Sequence, residues 1–378
     1  MPSGSTERRG LVRFLLSGDG WYYLLVPFIP LAVVLELVHA PAAAVFAVSA
    51  VGVIPPAGLM GRATEELAVR SGPGIGGLLN VTFGNAPEII IALFALNAGL
   101  QEVVKASLAG SILGNVLLVL GAAMFVGGWS RERQRFDQTA AVTQSTMLLL
   151  AVAALAMPAI FELVEGRGLP APSATRVDYG STVEGLSLAV AVVLILTYVA
   201  GLIFSLRTHR SLFNPSDEEH PHEGEPWTVR RSVILLGVAG VAVGVMSEVL
   251  VGSITEAADS IGLSEFFIGV IVVAIVGNAA EHWVAVLVAA KDKMDLAVNI
   301  AIGSAAQIAL FAAPLLVLVS FVLGPSPMAL VFNGFELGAI FLAVLIATHV
   351  TNEGESTWFE GLQLLAVYVV LALAFFFA

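Results

Sequence analysis

Long apolar stretches alternate with short polar ones along this chain, and their length sets the first expectation. A helix needs about 20 apolar residues to cross a bilayer. Stretches of that kind fall at 20–38, 41–61, 73–99, 105–127, 139–159, 182–206, 232–252, 266–290, 298–320, 332–350 and 359–378. The pattern predicts an all-α integral membrane protein of about eleven transmembrane helices. Two of the stretches are interrupted by nearly the same polar sequence, GNAPE at 84–88 and GNAAE at 277–281. Each sets a glutamate where a charge is expensive to keep, and intramembrane charges of this kind mark functional sites.

Composition agrees and removes whole classes of chemistry. Hydrophobic residues make up 58% of the 378 and charged residues 12%, about half the charged share of a soluble domain. Mean hydropathy is +0.92. Cysteine is absent, so disulfides, thiolate metal sites and cysteine nucleophiles are excluded. There is no GxSxG elbow and no HExxH, and of the six histidines only His282 and His349 fall within a predicted span. An intramembrane hydrolase therefore lacks its parts. The first 19 residues carry Arg8, Arg9 and Arg13 but no A-x-A-like site, and read as a cytosolic tail rather than a cleaved signal peptide.

The basic residues test the helix count, because lysine and arginine accumulate on the cytosolic side. With the N-terminus inside, that side collects Arg8, Arg9, Arg13, Arg62, Arg70, Arg131, Arg133, Arg135, Arg207, Arg210, Arg230, Arg231, Lys291 and Lys293. The other side receives Lys105, Arg167 and Arg176, a division of 14 against 3 that accounts for all 17.

A repeat runs through the same pattern. Gly84 to Gly277 and Glu88 to Glu281 are both separated by 193 residues (277 − 84 and 281 − 88), and the same offset carries Gly110-Ser111 onto Gly303-Ser304. The predicted organisation is a tail and leading helix over 1–40, a first five-helix repeat over 41–206, an acidic cytosolic linker over 207–231 and a second repeat over 232–378. Five is odd, so the second repeat enters the membrane inverted. Inverted repeats with broken helices at the midplane are the signature of secondary transporters. The linker core, PSDEEHPHEGEPW, reads either as a solvated connection or as a cation-attracting segment.

The motif chemistry points to a hard cation. Gly84-Asn85 is a poor helix interior and Pro87 lacks a backbone donor, so a break near Gly84 with a new helix from about Ala86 suits both. Such a break frees carbonyl oxygens, and Gly277 is expected to play the same part. Asn85 and Glu88 are three apart and share a face, as do Asn278 and Glu281. Two half-sites then converge two carboxylates, two carboxamides and exposed carbonyls. This all-oxygen set suits calcium rather than zinc or copper. The carboxylates can take protons when the ion leaves, since removal from water favours the neutral form. Asn85 and Asn278 are also read as caps of broken helices, and Ser111 and Ser304 either permit close helix packing or bind ions. Asn115 and Gln307, one turn further on, line the same site or merely pack beside it. His282, next to Glu281, is a candidate proton acceptor or gating group, or a structural hydrogen-bonding residue.

GGLLNVTFGNAPEIIIALFAL and FFIGVIVVAIVGNAAEHWVAV resemble the two repeats of the calcium/proton exchanger family, within the calcium/cation antiporter superfamily. GSILGN at 110–115, GSAAQIAL at 303–310 and GESTWFEG at 354–361 resemble further family segments in the expected order. The resemblance implies eleven helices, proton-driven calcium export, and carboxylates at Glu88 and Glu281 shared by calcium and protons. It implies supporting ligands at Asn85, Asn278, Ser111, Ser304, Asn115 and Gln307. Pro87 departs from it, standing where many members have threonine or valine; in this it resembles the sodium/calcium branch, though the GNA before it does not, and the alternative is a sodium/calcium or potassium-linked exchanger on the same fold. A cation channel fits inverted, broken helices less well than alternating access does. The expected partners are calcium, protons and the bilayer, with no resident cofactor and no nucleic acid. A homo-oligomer is compatible with the sequence, and the default location is a prokaryotic plasma membrane with the C-terminus extracytoplasmic. A reporter fused after Ala378 should accordingly be extracytoplasmic and one inserted in the 207–227 linker cytosolic; finding both on one side would overturn the inverted scheme.

Overall fold

The computed structural model describes residues 20–174, 177–204 and 227–378, with the backbone alone at 72–75, 77, 78, 80 and 81. The expectations placed on Arg8, Arg9, Arg13 and the N-terminal tail, on Arg176, and on linker residues 207–226 with Arg207 and Arg210 lie outside the described residues. The helices are α1 (Trp21–Leu37), α2 (Ala42–Phe83), α3 (Ala86–Asn97), α4 (Gln101–Gly128), α5 (Gln138–Val164), α6 (Gly180–Ile203), α7 (Val229–Ile261), α8 (Glu265–Ala290), α9 (Met294–Ser320), α10 (Gly334–Thr351) and α11 (Trp358–Phe376). Among the described residues nine are long and apolar enough to cross a membrane, while α1 and α3 are shorter apolar helices. All eleven expected spans are present.

One expected loop is not. The segment around Arg62–Arg70, placed between the second and third spans, is helical throughout, inside a helix of 42 residues. Its sequence RATEELAVR contains strong helix formers with Glu66 and Arg70 at i,i+4, which favours continuation. A straight helix of that length would run roughly 63 Å, about twice the hydrocarbon thickness. Yet a Cβ on Gly76 would fall against the carbonyl oxygen of Ala68, eight residues earlier. The chain therefore doubles back around Gly72-Pro73-Gly74, residues that let a helix kink sharply. The two spans remain two, joined by a reversal instead of a loop.

The halves correspond most closely at α4 and α9. α4 begins at Gln101 and α9 at Met294, again 193 apart (294 − 101). Each then widens into π-helical turns, at Gly114–Val119 in α4 and Ile308–Ala312 in α9. Such turns are rare and concentrate at functional positions. α4 crosses α8 at the centre with glycines on both sides of the crossing. A Cβ on Gly110 would collide with the Val270 carbonyl oxygen and lie 2.8 Å from the Ala274 methyl, and one on Gly269 would lie 2.9 Å from the Ala106 methyl. Small residues let helix backbones meet where the bilayer supplies no hydrophobic drive between them.

Contacts between loops follow the sidedness deduced from charge. Arg131, between α4 and α5, pairs with Asp292, between α8 and α9, at 3.1 Å. Strand β1 (Gln134–Arg135) pairs antiparallel with β2 (Glu355–Ser356) in the α10–α11 turn, and Arg133 forms an ion pair with Glu355. Trp227, where the linker returns, donates its backbone N–H to Glu66 at 2.8 Å and is flanked by Arg62 and Arg231 at 5.1 and 4.5 Å from its ring. At the opposite end Lys105 reaches the Val331 carbonyl between α9 and α10, at 2.6 Å, and lies over Tyr179 between α5 and α6, at 5.2 Å. Each contact joins segments that the basic-residue count assigns to one side.

The central crossing yields a stability prediction. Gly110→Ala has no room to relax and should destabilise the protein by about 1–3 kcal/mol. Gly252→Ala, on α7 with nothing within 4 Å of its Cβ position, should be neutral or slightly stabilising. Melting temperatures in detergent, measured side by side, check the contrast.

Candidate functional site

The break at GNAPE is where the sequence places it. α2 ends at Phe83, α3 starts at Ala86, and Pro87 lies in the first turn of α3, where its missing donor costs nothing. Glu88 occupies the same first turn, so the partial positive charge of the helix N-terminus faces its carboxylate. Asn85 stands at the N-cap position but its side chain caps nothing. Instead its Nδ2 donates to Gln307 Oε1 at 2.8 Å, and its Oδ1 accepts from Ser304 Oγ at 3.2 Å. The capping role weighed for Asn85 is thereby replaced by a link to the second half.

GNAAE behaves differently, and here the expected second break is corrected. α8 is continuous from Ala274 to Ala290, and the irregularity comes earlier, as π-helical turns at Ile268–Val273. The reason is one residue. Ala280 stands at the position of Pro87 (87 + 193), so no backbone donor is missing and no helix start is imposed. Gly277 opens no carbonyls; it makes room, since a Cβ there would lie 3.2 Å from Glu88 Cγ. Asn278 Nδ2 donates to the Ala274 carbonyl at 3.0 Å and to Ser111 Oγ at 3.1 Å.

The side chains thus exchange partners between halves. Asn85 of the first half meets Ser304 of the second, and its repeat-mate Asn278 meets Ser111, the repeat-mate of Ser304. Ser304 Oγ also lies 3.2 Å from Glu281 Oε2, and with one hydroxyl proton it can satisfy only one of its two acceptors fully. Glu88 packs over Gly277, which lies one helical turn before Glu281 on α8. Asn85, Asn115 and Asn278 are each 1% exposed, Ser111 2% and Ser304 7%. Ser111 sits beside the close crossing made by its neighbour Gly110 and accepts a hydrogen bond from Asn278. Gly303 makes no comparable backbone approach, its nearest neighbour being Asn299 Oδ1 at 3.3 Å.

Four polar atoms around this cluster are buried without a hydrogen-bond partner among the described residues: Glu88 Oε2, Asn115 Nδ2, Asn278 Oδ1 and His282 Nε2. Native interiors leave few such atoms, and each calls for a ligand or water. Two of the four are oxygens of residues expected to bind a cation. Among the described residues no cluster of three or more His, Cys, Asp or Glu side chains could hold a metal ion. The oxygen set of two carboxylates, carboxamides and hydroxyls fits a hard cation bound in passage. His282 follows Glu281 on α8 but turns toward Gly114, where a Cβ would lie 3.8 Å from its Cε1.

One polar pair along this wall has no mate in the repeat and so escaped the sequence comparison. Gln144 Nε2 donates to Asn299 Oδ1 at 2.7 Å, while the 193 offset carries them onto Leu337 and Ala106.

Eleven helices in two matched halves around a shared oxygen-donor site define a membrane transport protein. The chain belongs to the sodium/calcium exchanger protein family, whose profile matches residues 41–207 and 231–377. It is 45% identical over 359 residues to the Ca(2+)/H(+) antiporter ChaA of Bacillus subtilis (strain 168), covering 94% of this chain and 98% of that protein. It is 44% identical over 376 residues to the Ca(2+)/H(+) antiporter of Synechocystis sp., covering 94% and 97%. The structure of native YfkE aligns with a TM-score of 0.79 at 42% identity, over 94% of this chain and 100% of that one. The crystal structure of the H+/Ca2+ exchanger CAX shares the fold, with a TM-score of 0.68 at 15% identity over 96% and 93% of the two chains.

The crossed partners predict a pattern of coupling. In double-mutant cycles on cation affinity, Asn85→Ala with Ser304→Ala and Asn278→Ala with Ser111→Ala should each show coupling of about 0.5–3 kcal/mol. The swapped combinations, Asn85 with Ser111 and Asn278 with Ser304, should come out closer to additive. Calorimetric titration of the purified variants measures both.

Proposed function

We propose that this protein is a Ca2+/H+ antiporter, a secondary transporter and not an enzyme, in which calcium and protons compete for Glu88 and Glu281 during alternating access. The observation that carries this reading is the exchange of matched polar groups between halves. Asn85, Ser304 and Glu281 form one hydrogen-bonded chain across the interface while Glu88 lies over Gly277. Two negative charges neutralise one divalent ion, or take up protons when it leaves. The Ca2+/H+ antiporters of B. subtilis and Synechocystis, similar along nearly their whole length, support calcium and protons as the exchanged ions. The supporting ligands are Asn85, Asn278, Ser111, Ser304, Asn115 and Gln307, and no resident cofactor is required.

The working unit is an integral protein of a prokaryotic plasma membrane, with the Arg131 face in the cytosol and the Lys105 face outside. The division into 41–206 and 232–378, with a connecting 207–231, is supported by the two segments of the family match. A second reading, a sodium-driven exchanger on the same fold, is favoured by Pro87 alone. Flux in vesicles under a proton gradient, a sodium gradient or neither distinguishes the two.

Changing Glu88 or Glu281 to Gln keeps size and removes one charge and one proton site. A divalent ion left half-compensated in a poorly hydrated site loses about 3–5 kcal/mol of binding, or roughly 10²–10³-fold or more in affinity. Each variant should reach the membrane but fail in proton-driven calcium uptake by inverted vesicles. Apparent calcium affinity of the parent should fall as pH drops, because protons compete for the same oxygens. Near-parental exchange by both Gln variants at matched protein level would sink the mechanism.

A further inference from the structure

Between α9 and α10 the chain is not helical, and from Met328 to Asn333 it is buried. Met328, Leu330 and Val331 are 0% exposed, Ala329 2% and Phe332 3%. Irregular backbone at membrane depth survives only where protein groups satisfy it, and here side chains do so one at a time. Ser320 Oγ accepts from the Met328 N–H at 2.8 Å and Ser187 Oγ from the Leu330 N–H at 3.0 Å. Two further anchors come from α4, in the opposite half. Gln101 Nε2 donates to the Ser326 carbonyl at 2.6 Å, and Lys105 Nζ donates to the Val331 carbonyl at 2.6 Å. Lys105 is 1% exposed and also pairs with Glu102 at 2.8 Å.

Where this strap lies gives it a consequence for transport. It crosses the outer ends of both first-half helices that carry the cation-site groups. A Cβ on Gly324 would lie 2.6 Å from the carbonyl oxygen of Leu96, two turns beyond Glu88 on α3. Phe332 shares the lining of a small cavity with Ile112, the residue after Ser111 on α4. Any separation of the halves at this face must break the Lys105–Val331 and Gln101–Ser326 bonds.

We propose that residues 325–333 form the extracytoplasmic closure of the ion pathway, with Lys105 as the positioning residue that latches it by bonding the Val331 carbonyl. This rests on the alternating-access reading above. The latch belongs to the shut condition of this face. Opening releases the carbonyl, and the ammonium then falls back on Glu102, its partner on the same helix.

Two measurements test the proposal, and both use the natural absence of cysteine in the full chain. In the first, Leu108→Cys is introduced on α4, and a membrane-impermeant thiol reagent is added from the extracytoplasmic side. Adding Lys105→Met should raise the labelling rate roughly tenfold or more, as loss of a charge-assisted bond shifts the closed–open balance. Lys105→Arg, which keeps a donor, should stay near the parent. Labelling reads access and not the ion carried, so its outcome does not depend on calcium being the substrate. In the second, Gln101→Cys and Ser326→Cys are bridged by a short reducible bis-thiol reagent. Bridging should stop exchange, reduction should restore it, and calcium binding by the bridged protein should persist. Unchanged labelling in a correctly inserted Lys105→Met protein would overturn the latch. Exchange at the unbridged rate in fully bridged protein would overturn the closure, whichever way Lys105→Met folds.

Discussion

Two carboxylates, Glu88 in the first turn of α3 and Glu281 on α8, are set among apolar helices, and the groups around them are arranged to offset what they cost. Each has lost hydration and each repels the other. Part of the compensation is local: Glu88 is set on the first turn of α3, at the positive end of a helix dipole. The rest crosses between halves, since Ser304 reaches Glu281 and Asn85 while Ser111 reaches Asn278. Parting the halves would break the Asn85–Ser304 and Asn278–Ser111 bonds together.

The two half-sites are related but not equivalent. Pro87 forces a chain break and a helix start at the first, and Ala280 leaves the second as unbroken helix preceded by π-helical turns at Ile268–Val273. One carboxylate is thus fixed at a helix terminus, where fixed dipoles act on it, and the other sits mid-helix with only side chains for support. The proline difference within two matched motifs leaves the two glutamates in different local surroundings.

Much of this was legible in the sequence because hydrophobic length and charge asymmetry act at the scale of whole helices. Eleven spans, the break at Gly84 and the convergence of Asn85, Ser111, Asn278 and Ser304 follow from period, proline chemistry and an offset of 193. What was not legible depended on tertiary context. The reversal at Gly72-Pro73-Gly74 looked like a loop because helix and loop share those residues when a kink is sharp. The matched motif at 277–281 suggested a break that the missing proline does not impose. Gln144 and Asn299 lack repeat-mates, and the strap at 325–333 is apolar enough to resemble helix ends while its hydrogen bonds come from distant chain. Asn333 and Glu336 at the end of this strap close a capping box at the start of α10, with both bonds present at 2.8 and 2.9 Å, a role the sequence analysis did not assign.

The distance in sequence between Lys105 and its carbonyl partner bears on how the protein is made. They are 226 residues apart, so at roughly 5–20 residues per second the lysine leaves the ribosome some 10–45 s before Val331 exists. An unpaired ammonium resists insertion into hydrocarbon. Glu102, three residues earlier on the same helix and 2.8 Å away, emerges with it and gives the charge a companion throughout that interval. The carboxylate is thus in place as a companion from the start, and the Val331 carbonyl arrives only when the second half of the chain has been threaded.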